Sequence, residues 1–247
     1  HERSAPDSPY AIDRGICRAR SGAHCFHRRP LRLTSLKARV NFPTDRCADT
    51  VPCDCRRGGS EIPILHRSFM QILAISGSLR GGASNTELLA AATLLAPSGV
   101  EIALYDALSA LPHFNPDLDN PDRNILPEIV ADLRMRIGRA DGILISCPEY
   151  AHGIPGSFKN LLDWLVGSTE FPGKPVALLN TSSMSVHAPA QLIEVLRTMN
   201  ARIVPQACFT VPLLGRRFDA DAIAAEPELS AILRVAISAF ARAISNT

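Results

Sequence analysis

Long apolar runs are missing from this 247-residue chain. No stretch reaches the roughly 18 apolar residues of a membrane-spanning helix, and no apolar core of a secretory leader appears. Membrane and export readings are therefore not supported. Paired Cys-x-x-Cys spacing is missing too. Cys47, Cys53 and Cys55, with Cys25 and His27 upstream, are ligand types without the spacing of a zinc site, so no metal is expected. Past Phe69 only Cys147 and Cys208 remain, too few for a disulfide scaffold, which fits a reducing, cytoplasmic setting. Two familiar phosphate loops are absent: no Lys-Ser/Thr pair follows the glycines, and no Gly-x-Gly-x-x-Gly occurs. No order of Ser, His and Asp demands a protein nucleophile.

What is present divides at Phe69-Met70. Residues 1–69 hold 13 Lys and Arg against 7 Asp and Glu, a balance of +6, whereas residues 70–247 hold 13 against 17, or −4. The first segment also carries five of the seven cysteines and no sustained apolar period, so it is expected not to bury a core. Met70 starts the first clean strand pattern, and residues 1–69 are expected to be an extension, disordered or non-native. Residues 70–247 are expected to form one domain. No nucleic-acid partner is expected.

Strand and helix signals then alternate. Strands are expected at Gln71–Ile75, Val100–Tyr105, Gly142–Ser146, Pro175–Asn180 and from Arg202 to Val204. Helices are expected at Ser84–Leu95, Pro127 to about Arg139, Ser157–Val166, Gln191–Met199 and Glu228–Ile244. Apolar strands without alternation are buried on both faces, and helical crossovers imply a parallel sheet. The expectation is an α/β, flavodoxin-like three-layer sandwich with five parallel strands in the order 2-1-3-4-5. In that order a flavin mononucleotide sits at the switch point between strands 1 and 3.

The turn after strand 1 reads Ser76-Gly77-Ser78-Leu79-Arg80-Gly81-Gly82-Ala83-Ser84-Asn85-Thr86. A glycine-rich, hydroxylated turn with one arginine at a helix N-terminus suits a phosphate, because backbone N–H groups and the helix dipole both favour an anion. Ser78, Ser84 and Thr86 add hydroxyl donors, and Arg80 adds a planar, permanently charged fork. The plainer reading is an ordinary turn with Ser84 as N-cap and Glu87 closing a capping box. It leaves Arg80 and the density of hydroxyls unexplained.

If the phosphate lies after strand 1, the ring should lie after strand 3. There the chain reads Cys147-Pro148-Glu149-Tyr150-Ala151-His152-Gly153-Ile154-Pro155-Gly156, an irregular turn fixed by proline and glycine. Such a turn brings backbone N–H groups near a flat heteroaromatic ring, and Tyr150 could cover it. Cys147 reads as a small buried residue.

Together the two loops resemble the NADPH-dependent FMN reductase family, which includes quinone, chromate and azo-compound reductases. The cradle pattern is matched by Gly77, Ser78, Arg80, Ser84 and Asn85, with one extra residue before Ser84. The ring loop is matched by Pro148, Glu149 and Tyr150, and the helix after it by Pro155, Gly156, Lys159, Asn160, Asp163 and Trp164. The resemblance runs from about Ile72 to Ile244.

It implies FMN and NADPH as cofactors, hydride passing to a quinone, flavin, azo or similar small acceptor in a ping-pong cycle, and a homodimer or homotetramer. The resemblance and the reading of the two loops together give as expected cofactor-binding residues Ser78, Arg80, Ser84, Asn85, Thr86, Pro148, Glu149, Tyr150, His152 and Gly153. Glu149 is expected to contribute its backbone more than its carboxylate. Two departures stand out: Ala151 replaces a frequent Asn, and Ser182-Ser183 stands in the loop after strand 4 where a Gly-Gly pair is frequent. A flavodoxin-type electron carrier and a non-catalytic FMN-binding protein remain as alternatives.

Overall fold

Apolar segments that carry no in-and-out alternation meet in one parallel sheet. The computed structural model describes residues 69–120, 125–213 and 215–246, so apart from Phe69 the readings made for residues 1–69, zinc ligands included, lie outside it. The strands are β1 (Met70–Ser76), β2 (Val100–Tyr105), β3 (Gly142–Ser146), β4 (Pro175–Asn180) and β5 (Arg202–Ile203). They run in the order β2-β1-β3-β4-β5. All five residues of the central β3 are buried, whereas β2, at the edge, buries Ile102 and Tyr105 and exposes Glu101 and Ala103. A sixth strand not anticipated from the sequence, β6 (Phe209–Thr210), pairs with β4 beyond the end of β5.

The helices are α1 (Ser84–Leu94), α2 (Glu128–Arg139), α3 (Gly156–Val166), α4 (His187–Thr198), α5 (Ala220–Ala225) and α6 (Pro227–Ser245). Because side chains alternate along a strand, Ile72 and Ala74 of β1 face one core with Leu88, Leu89, Leu233 and Phe240 of α1 and α6. Leu73 and Ile75 face the other, with Leu133, Phe158, Leu161, Trp164 and Leu192 of α2, α3 and α4. Helices thus cover both faces, giving the three layers expected.

Two differences have simple causes. Helix α4 begins at His187 and not at Gln191, because Pro189 falls in its first turn, where a missing N–H removes no intrahelical bond. Helix α5 is a single short element capped by Asp219, whose Oδ1 accepts from the Ala222 N–H at 2.8 Å, and it is too brief to show a period. No helix among the described residues is long and apolar enough to cross a membrane.

Candidate active site

The C-terminal ends of β1 and β3 approach closely. The Gly77 N–H donates to the Ser146 carbonyl at 2.8 Å, and a Cβ at Gly77 would stand 2.7 Å from Cys147 Sγ. Only glycine fits there. The turn after it is built from short polar bonds: Ser76 Oγ pairs with Thr86 Oγ1 at 2.8 Å, and Ser78 Oγ accepts from the Arg80 N–H at 3.3 Å. Asn85 is buried, and its Oδ1 accepts from Ser146 Oγ at 2.8 Å. Asn85 and Thr86 therefore spend these side-chain oxygens on tying α1 to the sheet, while Ser78, Arg80 and Ser84 face outward to varying degrees.

Helix α1 is capped by Ala83, whose side chain has no acceptor. The Ser84–Glu87 capping box does not form, since Glu87 Oε2 instead accepts from the Ala220 N–H of α5 at 3.0 Å. Thr86 and Glu87 N–H groups bond the Ala83 carbonyl, but the amides of Ser84 and Asn85 find no partner among the described residues. Open donors at a helix N-terminus are what an anion needs. Beside them lies a cavity of about 660 Å³ lined by Arg80, Ser84, Thr181, Ser182, Arg216 and Phe218. Its carboxylates, Glu87 and Asp219, are committed to α5. Among the described residues, no ion pair occupies Arg80, Arg216 or Arg217. The donor set fits a monophosphate ester. Arg216 and Arg217 were not anticipated, since nothing in the local sequence joins them to the cradle.

The loop after β3 is a tight hairpin. Tyr150 and Gly153 exchange two N–H···O bonds of 3.0 Å, and Ala151 and His152 between them both adopt positive φ, 48° and 59°. The backbone shape is that of a two-residue turn in which Asn and Gly are favoured at the centre. A frequent Asn at the Ala151 position thus has a conformational reason. Tyr150 stands 55% exposed at the loop surface, as does Leu79 in the cradle, leaving apolar area for a flat ring to cover. Pro148 joins the end of β3 to Glu149.

Glu149 uses its carboxylate. Oε2 accepts from the N–H groups of His187 and Ala188, at 2.8 and 2.9 Å, and so caps α4. The Ala188 amide, together with that of His187 and against some desolvation, holds this carboxyl below the usual range. Gln191 Oε1 accepts from the Ile154 N–H at 2.9 Å, a second tie from the same loop to α4. The sequence signal for both ties was the helix start at His187, concealed by Pro189. His152 stacks on His187 with centroids 4.2 Å apart and 24° between planes.

The loop after β4 closes on itself. Asn180 Nδ2 donates to the Ser182 and Ser185 carbonyls, and Ser182 Oγ accepts from the Met184 N–H. Asn160 and Trp164 of α3 serve the turn after β2: both donate to the Pro112 carbonyl, and Asn160 Oδ1 accepts from the Phe114 N–H. Cys147 is buried, which pushes its thiol up to about 12.

Comparison with known proteins places the chain in a family. Residues 70–213 match the model of the family described as NADPH-dependent FMN reductase. The chain is 30% identical over 156 residues to a quinone reductase of Escherichia coli strain K12, covering 61% of this chain and 81% of that protein. It is 38% identical over 116 residues to an NAD(P)H-dependent FMN reductase of Pseudomonas aeruginosa, covering 46% and 60%. Among solved structures it is similar to FerB, an NAD(P)H:(acceptor) oxidoreductase flavoenzyme from Paracoccus denitrificans. That likeness has a TM-score of 0.58 at 28% identity, over 72% of this chain and 98% of that one. With more than half of its length matching the family model, the chain belongs to the NADPH-dependent FMN reductase family and is a flavin-dependent oxidoreductase.

Proposed function

We propose that this protein takes hydride from NADPH and delivers it to a quinone or similar small acceptor, the two substrates using one space in turn. The observation that carries this reading is the pairing of open donors at the start of α1 with the Tyr150–Gly153 hairpin on the next strand. When bound, FMN supplies the hydride store that connects the two half-reactions. Arg80, Ser78, Ser84 and the amides of Ser84 and Asn85 would hold its phosphate. Asn85 and Thr86 keep that turn in place through Ser146 and Ser76. Tyr150 would cover the ring, and the backbone from Glu149 to Gly153, with Pro148 and His152 beside it, would line the ring edge with fixed dipoles. No separate dinucleotide fingerprint exists, so the nicotinamide would meet the ring across an open surface. Quinones are favoured as acceptors by the Escherichia coli relative's name.

The test is a visible spectrum of the full chain after FMN loading and desalting, repeated after anaerobic addition of NADPH. Retained flavin bands that bleach, followed by recovery on adding a quinone, are expected. Retained bands that stay coloured would instead indicate an electron carrier, and a colourless protein would remove the cradle reading. Initial rates at several fixed quinone concentrations should give parallel double-reciprocal lines. Sedimentation under the same conditions reports the expected homodimer or homotetramer.

A further inference from the structure

We propose that Glu149, His152 and His187 form a binding site for one divalent transition-metal ion of the zinc type. Carboxylate and imidazole donors from two separate loops converge there, with one ligand atom from each residue lying within 4.8 Å of the others. Two donors on a tetrahedral zinc ion at about 2.1 Å lie about 3.4 Å apart, so the two exposed rings, stacked with centroids 4.2 Å apart, must rotate out of their stack to bring their nitrogens onto one ion. Two imidazoles with one carboxylate are a ligand set that zinc accepts, and they leave a coordination position open.

The backbone prepares the donors. His152 is held at the tip of the hairpin by the Tyr150–Gly153 bonds, and His187 opens α4. A cation at a helix N-terminus ordinarily meets the positive end of the dipole. Here Glu149 Oε2 already covers the two amides that carry that charge, and Oε1 is left for the ion. Once bound, the ion would link the loop after β3 to the loop after β4, the two segments that border the proposed ring site. Its presence would therefore stiffen that mouth and slow NADPH oxidation. The sequence places Glu149 and His152 three apart in one loop but gives no sign of their third partner, because His187 comes from the start of α4.

The test is calorimetric titration of Zn²⁺ into the full, metal-free chain without flavin, which makes it independent of the flavin reading. One ion with a dissociation constant in the micromolar range is expected. Loss of an outer partner alone costs metal sites 10–100-fold, so His187→Ala and His152→Ala should each weaken this binding by at least about tenfold. Zinc should also raise the melting temperature of the parent chain and not that of His187→Ala. Both substitutions lie on exposed side chains, and His187→Gln provides a second variant of similar size. Binding that survives unchanged in all the histidine variants would place the ion elsewhere, for instance on the cysteines before Phe69, and overturn the proposal. So would the absence of binding below millimolar zinc.

Discussion

The loops after β1 and β3 sit side by side at the same end of the sheet, yet they handle their polar groups in opposite ways. The β1 loop leaves donors open: among the described residues, two amides at the start of α1 lack partners and the Arg80 guanidinium has no carboxylate. The β3 loop closes its groups internally. Its hairpin satisfies Tyr150 and Gly153, and Glu149 and Ile154 are tied to α4. One loop keeps open donors, while the other is held by bonds within its hairpin and to α4. A ligand with a charged tail and a flat apolar head needs that division, since the charge requires donors and the ring requires a rigid edge.

Removing the open charge should break this division most strongly. Arg80→Ala deletes a charge-assisted contact, which is worth up to about 3 kcal/mol and thus roughly 100-fold in FMN affinity. Fluorescence titration of FMN measures it, and the melting temperature without FMN should not move. Gly77→Ala tests the shared root of both loops. A Cβ there meets Cys147 Sγ at 2.7 Å, and overpacking of this kind destabilises by about 2 kcal/mol. Denaturant unfolding would show it, and adding Cys147→Ala should return part of the loss because it removes the worst contact.

Much of this was legible in sequence, and the exceptions have physical causes. Buried parallel strands read as continuous apolar runs, so β1 and β3 stand out and their order follows from the helices between them. The proposed cradle could be read as a pattern because its residues are local: Gly77, Ser78, Arg80 and Ser84 are neighbours in the chain. The ties that hold the ring loop were not, because each joins residues far apart. Glu149 reads as a loop acid until α4 is seen to begin at His187, and Gln191 as a helix-surface amide until Ile154 reaches it. The Ser84–Glu87 capping box was a local pattern overridden by tertiary structure, since Glu87 serves α5 instead. Strand β6 and helix α5 are too short to carry any period.

Glu149→Gln should loosen the closed loop and give a smaller effect, with a pH signature. The folded-state pKa of this carboxyl lies below its unfolded value, because the amides of Ala188 and His187 bind the charged form. A depressed carboxyl contributes stability that is present above the unfolded pKa and lost as pH falls through the folded one. Between neutral pH and about pH 5 the substituted protein should therefore melt lower than the parent. Below the ordinary carboxylate range the two curves should converge. A constant offset across the whole acid range would mean that the charge on Glu149 does not matter to the cap.

Ala151→Asn should sharpen the contrast with the least disturbance. Ala151 sits at φ 48°, where a Cβ is crowded and Asn is tolerated because its short amide bonds locally. The side chain is exposed, so the substitution removes no packing. A gain of about 0.5 kcal/mol in unfolding free energy is expected, at the low end of what a relieved left-handed residue returns. Ala151→Gly should gain less, because glycine loses more chain entropy on folding. If the Asn side chain also reaches the bound ring, FMN affinity should rise in Ala151→Asn and stay unchanged in Ala151→Gly. If the benefit is only conformational, both variants should bind FMN as the parent does while ranking Asn, Gly, Ala in stability. The two variants together therefore separate a contact to the ring from a backbone preference at one of the two positions where the loop adopts positive φ.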